Sequence, residues 1–144
     1  MKRLIDVEEC FAKGMLRKTL PSKEQALMSL GKAASALEDA KANFAEKRFD
    51  ATIILAYMSL LCASKAVLFN DGVREKSHIC IARYLESAHR DIFDSKSIRL
   101  FDSFREERHE VQYSASFRAS ELQAKEILDF AGAFLEKAEK VVGK

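Results

Sequence analysis

After Pro21 the chain contains no further proline, and its five glycines are scattered one at a time. Tight turns draw on those two residue types. A chain so poor in them has few places to reverse and is driven toward a small number of long helices. No stretch alternates apolar and polar residues at period two for long enough to make a strand, so no sheet is expected. Pro21 stops a short helix expected over about residues 4–19. Ser22, with Gln25 three positions on, then forms a capping-box pattern. Leu27, Leu30, Ala34, Leu37, Ala40 and Phe44 recur at steps of three and four, one face of a helix reaching about Lys47.

Asp50 is placed to cap the next helix, which runs through "ATIILAYMSLLCASKAVLF" and ends at Gly72, where a left-handed residue is allowed. Ala51 to Phe69 is near the length a bilayer requires. Thr52, Ser59, Ser64 and Lys65 interrupt it and no second span follows, so it is expected as a buried central helix, without a membrane partner. Ser77 caps a third helix with Ile81, Tyr84, Leu85 and Ala88 inward. Ser95 opens a fourth, through Tyr113. Ser120, with Gln123, opens a fifth, whose buried stripe is Ile127, Phe130, Ala131, Phe134, Ala138 and Val141. The expected fold class is all-α: an antiparallel up-and-down helical bundle of four to five long helices plus a short N-terminal helix. Residues 1–21 form an N-terminal extension and residues 22–144 the bundle domain.

Composition narrows the function. Hydrophobic residues at 48% and charged residues at 32% describe an ordinary globular domain. A net charge of +2 is too small to demand nucleic acid or an anionic membrane, so any recognition of phosphate must come from a local cluster. Cys10, Cys62 and Cys80 are odd in number with no close pair, which suits neither a disulfide framework nor a metal site. Reduced thiols in a cytoplasmic protein are expected. The N-terminal "MKRLIDVEECFAKG" has no apolar signal core. No metal constellation, phosphate-cradling glycine loop or Ser/Cys nucleophile arrangement is visible, and no cofactor is expected.

One segment is unusual. "FDSFREERHEVQYSASF", residues 101–117, crowds Arg105, Arg108 and His109 into five positions and follows them with Tyr113. On a helix, Leu100, Phe104 and Val111, with Phe101 at the edge, form the buried side. Arg105, His109 and Gln112 share an adjoining face, and Arg108 lies between the two. Such a pattern suits a solvated, charge-laced surface, with Arg108 snorkelling past apolar neighbours. The competing reading is an anion site, in which two guanidinium forks hold a phosphate and His109 moves a proton near neutral pH, though spacing alone favours the solvated surface. Elsewhere, His78 opens the third helix, where backbone N–H groups favour anions, although packing on the bundle accounts for it too. Tyr57 reads as core, His89 as a cation at a helix end, and Lys65 as reaching solvent or a dimer seam.

The order of an amphipathic helix, the apolar helix in "RFDATIILAYMSLLCASKAVLFNDGVREKSH" and the late "RxxRHEVQY" resembles the HEPN family, and within it an archaeal branch of small helical proteins. The resemblance spans about residues 22–142. It implies a helical bundle that pairs into a homodimer. It also implies either a metal-independent endoribonuclease toxin, the partner of a minimal nucleotidyltransferase in a toxin–antitoxin pair, or an RNA- or nucleotide-binding module. The family signature is an Arg, then a polar residue, then a His after four to six intervening positions. Arg108 and His109 match its first two members, but Tyr113 stands where the His is expected; Arg105 to His109 is one residue short. The resemblance therefore leaves catalysis open. Arg105, Arg108 and His109 are the catalytic candidates; Arg105, Arg108, His109, Gln112, Tyr113 and His78 are the ligand-binding ones. A third reading is a dimeric structural adaptor whose charged cluster serves only ion pairs between subunits.

Overall fold

The computed structural model describes residues 5–143. Its long helices are α2 (Lys23–Ala45), α3 (Phe49–Asp71), α5 (Ser95–Tyr113) and α6 (Glu121–Val142), with shorter α1 (Val7–Ala12) and α4 (His78–Ala88). The fold class is all-α, as the helical spacing predicts. Two strands were not foreseen. β1 (Leu16–Lys18) pairs antiparallel with β2 (Val73–Glu75), Leu16 opposite Glu75, and clips the N-terminal arm to the turn after α3. Three residues are too few for alternation to be seen; of the helix expected over 4–19, whose first residue lies outside the described residues, the described part is helical only in α1, and Gly14 turns the chain with φ +72°.

Helix α3 is the axle. It packs against α2 and α6 along its length and against α5 on a third side. Both helices carry small buried residues, Ala26, Ala33 and Ala40 on α2 and Ala56, Ala63 and Ala66 on α3. The polar residues inside this apolar helix are satisfied locally. Ser59 donates to the Ala33 carbonyl across the α2–α3 seam at 2.7 Å, while Thr52 and Ser64 donate to carbonyls one turn back. α3 is the one helix among the described residues long and apolar enough to cross a membrane; here it is mostly buried by its neighbours. The inward stripe of α2 is Ala26, Leu30, Ala33, Leu37 and Ala40, one position off the expected Leu27 and Ala34, and Leu27 is partly exposed. In α5 the buried residues are Ser97, Ile98, Phe101 and Phe104, and Leu100 turns outward. Ala88 is likewise exposed.

Capping follows the sequence at Ser22, Ser77 and Ser120, each accepting from the backbone N–H three residues on. It departs at two helices. Asp94, not Ser95, caps α5, accepting from the Ser97 N–H at 2.9 Å. Asp50 lies inside α3 and instead accepts from the Ala119 N–H at 2.8 Å, tying the α5–α6 connection to the start of α3. Gly72 ends α3 in the left-handed conformation, as its position suggests.

The cysteines are the clearest correction. Cys10 and Cys80 form a disulfide, Cα atoms 5.8 Å apart and 70 residues distant in sequence, joining α1 to the first turn of α4. An odd count and wide spacing hid the pair. The three reduced thiols that suggested a cytoplasmic setting are therefore one: Cys62 alone is free.

Candidate anion-binding site on the α3–α4–α5 face

The buried stripe of α5 runs Ser97, Phe101, Phe104, and its next step along the same line is Arg108. Its guanidinium cannot stay in the core. It lies across the phenol of Tyr57 on α3, 4.8 Å from the ring centroid, and its Nη1 donates to Gln112 Oε1 at 2.6 Å. Its Nε is buried with no hydrogen-bond partner. Tyr57 is itself buried, stacked near Phe101 and 3.1 Å through its hydroxyl from Nδ1 of His78, the first residue of α4. Three helices thus meet in a chain from His78 through Tyr57 to Arg108.

Arg105, one turn before Arg108, is held by Asp102 at 2.5 Å. The other carboxylate oxygen of Asp102 takes Arg83, a buried arginine of α4 whose Nε and Nη1 have no partner. Asp102 therefore fixes Arg105 from behind, between two cations. The electrostatics of the cluster reflect this crowding. Burial pushes the Tyr57 hydroxyl up in pKa, against the pull of Arg108 and Arg105. His78 is pushed down from its ordinary value, first by burial and then by Arg108, Lys65 and Arg105, so at neutral pH its imidazole is uncharged.

His109 and Tyr113 sit elsewhere on α5. Both are exposed, and their rings lie 4.7 Å apart, tilted at 47° to each other. A shallow concavity of about 600 Å³ is lined by Arg105, Arg108 and His109 together with Glu106, Glu107 and Glu110, so its charge is mixed. Glu107 is half-buried there, its carboxyl pushed up by burial and by Glu126 of α6. Of the residues the sequence singled out, Gln112, Arg108 and His78 are joined through Tyr57, while Arg105, Arg108 and His109 line the concavity, and exposed Tyr113 packs on His109. Tyr57, which the sequence assigns to the core, is the link. No signal in the sequence could have found it, because its partners lie 21 and 51 positions away.

The other singled-out polar residues are structural. His89 pairs through Nε2 with Asp71 at 2.5 Å, and Asp71 also accepts from the Tyr84 hydroxyl at 2.8 Å, closing the α3–α4 corner. Lys65 is partly exposed, 4.0 Å from Glu75.

No curated protein matches the chain in sequence. A family model does: the HEPN domain, over residues 26–141, from the first buried alanine of α2 to the last turn of α6. The match runs from within α2 to within α6 and contains every residue of the Tyr57, His78 and Arg108 cluster. By that match, and by the all-helical architecture that agrees with it, the chain belongs to the HEPN domain family.

Proposed function

We propose that this protein binds RNA or a nucleotide as a homodimer, using the face where α5 meets α3 and α4. The observation that carries the reading is Arg108, a guanidinium set over a buried phenol with an unpartnered Nε and with Arg105 one turn away. An arginine pre-positioned in this way loses little freedom when its fork meets a phosphate. Family membership associates the fold with nucleotide and RNA chemistry. Within that setting the finer role we propose is partnership with a minimal nucleotidyltransferase in a toxin–antitoxin pair. Pairing of two copies is supported by apolar side chains that one chain leaves uncovered on α2 and α3, chiefly Met28 at 68% exposure and Met58 at 48%. A dimer would place two arginine clusters in one assembly and raise a local positive field that a net charge of +2 does not supply.

Fluorescence anisotropy with labelled single-stranded RNA and with a labelled nucleotide tests the reading. Arg108→Ala is expected to weaken binding about tenfold or more, the order of one charge-assisted hydrogen bond. Binding of neither ligand by the wild type would end the proposal, and binding unchanged by Arg108→Ala alongside a shifted dimer melting point would favour the adaptor reading. A second reading, metal-independent RNA cleavage, draws on the concavity that Arg105, Arg108 and His109 share. It requires cleavage in EDTA that His109→Ala abolishes.

A further inference from the structure

We propose that His78 supplies a third positive contact to this site by taking up a proton as the ligand binds, and that the ligand so selected is a terminal phosphate carrying two negative charges. The inference rests on the binding function proposed above and names what the site prefers.

The geometry comes from three helices. The Nδ1 atom of His78 is engaged by the Tyr57 hydroxyl at 3.1 Å, the two rings are 5.9 Å apart, and Arg108 covers the same phenol. In the neutral tautomer that the proposal requires, the phenol O–H donates to Nδ1 and the proton sits on Nε2, which makes no hydrogen bond to any described residue. Arg108 Nε is a second unused donor. The cluster therefore holds more donor capacity than its own residues consume, and of the two donors Arg108 Nε is the buried one, where lacking a partner is costly.

Burial first, and then the positive charges of Arg108 and Arg105 on α5 and Lys65 on α3, disfavour a proton on His78 before a ligand arrives. Of the nearby carboxylates, Asp102 is held by Arg83 and Arg105 and Glu75 lies beside Lys65, while Glu106, Glu107 and Glu110 line the concavity next to the two arginines and compete with an anion there. A dianion seated between the two guanidinium groups reverses the local field and favours imidazolium. A proton from solvent then occupies Nδ1, which donates to the Tyr57 oxygen, and the phenol O–H is released to turn toward the ligand. One proton enters and one net donor is added. A phosphodiester carries a single negative charge and offsets the arginines only in part, so it draws the proton less strongly. A phosphorylated RNA end and a free mononucleotide share the chemistry that the site prefers.

The test uses sulfate first, because it stays doubly charged across the range in which histidine titrates. By calorimetry, the wild type is expected to bind sulfate about tenfold more tightly at pH 6 than at pH 8, with proton uptake visible as a dependence on buffer ionisation heat. His78→Gln is expected to lose both the slope and the uptake. Tyr57→Phe, which retains the ring beneath Arg108, is expected to keep anion binding while changing the slope, so the outcome does not depend on one variant folding. At pH 7.5, a 5′-phosphorylated oligoribonucleotide should bind about tenfold more tightly than its 5′-hydroxyl form, and adenosine 5′-monophosphate more tightly than its methyl ester. A stronger effect in the oligonucleotide pair than in the nucleotide pair identifies the RNA end as the source. A slope that survives in His78→Gln, or ester and monoester bound alike, overturns the proposal while Arg108-dependent binding still stands. Loss of all RNA and nucleotide binding in the wild type removes both.

Discussion

At the scale of single residues, Asp102 has the greatest leverage. It accepts from Arg83, which is only 9% exposed, and from Arg105, so one carboxylate holds two guanidinium groups. Removing it leaves Arg83 as a buried cation with no partner for any of its donors. Breaking a buried pair from one side costs about 3–5 kcal/mol, whereas replacing the cation with an apolar side chain of similar volume is often close to neutral. Asp102→Ala is therefore expected to lower stability in urea unfolding by about 3 kcal/mol or more, and Arg83→Met by less than half as much. The two changes combined should recover part of the Asp102→Ala loss. At this scale the sequence was partly legible. The neighbourhood of Arg105 and Arg108 is a spacing property of one helix, and spacing showed it. Arg83, Tyr57 and His78 come from other helices, and only packing brings them there.

At the scale of elements, the corner between α3 and α4 is the most constrained piece of backbone. Gly72 adopts φ +80°, and a Cβ added there would sit 2.6 Å from the Thr19 carbonyl oxygen and 3.0 Å from the Pro21 ring. Gly14 also has positive φ, at +72°, but nothing lies within 4 Å of its would-be Cβ. Gly72→Ala is thus expected to cost clearly more than Gly14→Ala, which should lose only about 1 kcal/mol from backbone strain. Thermal unfolding of the two variants side by side measures the difference. The glycine at the end of α3 was legible because a left-handed stop has a residue signature; the strand pairing that crowds it was not, since β1 and β2 are three residues each. The same corner is sensitive to acid. The Asp71 carboxyl is held below its ordinary value by hydrogen bonds from His89 and Tyr84, which overcome the opposing effect of burial. Its contribution is complete above the unfolded value near 3.8 and is lost as pH falls through the lower folded value. His78 acts earlier. Because its folded pKa is depressed, the unfolded chain binds the extra proton first, and stability falls as pH drops below about 6.5. Urea midpoints at pH 7.5, 6.5 and 5.5 should decline in the wild type, and the decline should be smaller in His78→Gln.

At the scale of the molecule, the bundle and its N-terminal arm are held together by different means. α2, α3, α5 and α6 share one hydrophobic core built by periodic apolar residues, and that periodicity is why the fold class could be read from the sequence. The arm contributes little to that core beyond Cys10, Leu16 and their neighbours. It is attached by the β1–β2 pairing and by the disulfide from Cys10 to Cys80. Two attachments formed by residues far apart in sequence leave no local pattern, which is why the arm was expected as a short helical extension with reduced thiols. A crosslink joining residues 70 positions apart removes much of the unfolded chain's freedom, worth about 4 kcal/mol if the folded geometry is unstrained. Cys80 lies two residues past His78, within the same first turn of α4. Reduction should then have two separable effects. Stability is expected to fall by about 2–4 kcal/mol in urea unfolding with and without reductant, and Cys10→Ser should reproduce the loss without reductant. Ligand binding at the Arg108 site should weaken only where the reduced arm lets α4 move, so a reduced protein that keeps full anion affinity would show that α5 and α3 hold the site unaided. Hydrogen exchange at the first turn of α4 separates the cases: protection retained after reduction means that the Ser77 cap and Tyr57 fix His78 without the crosslink.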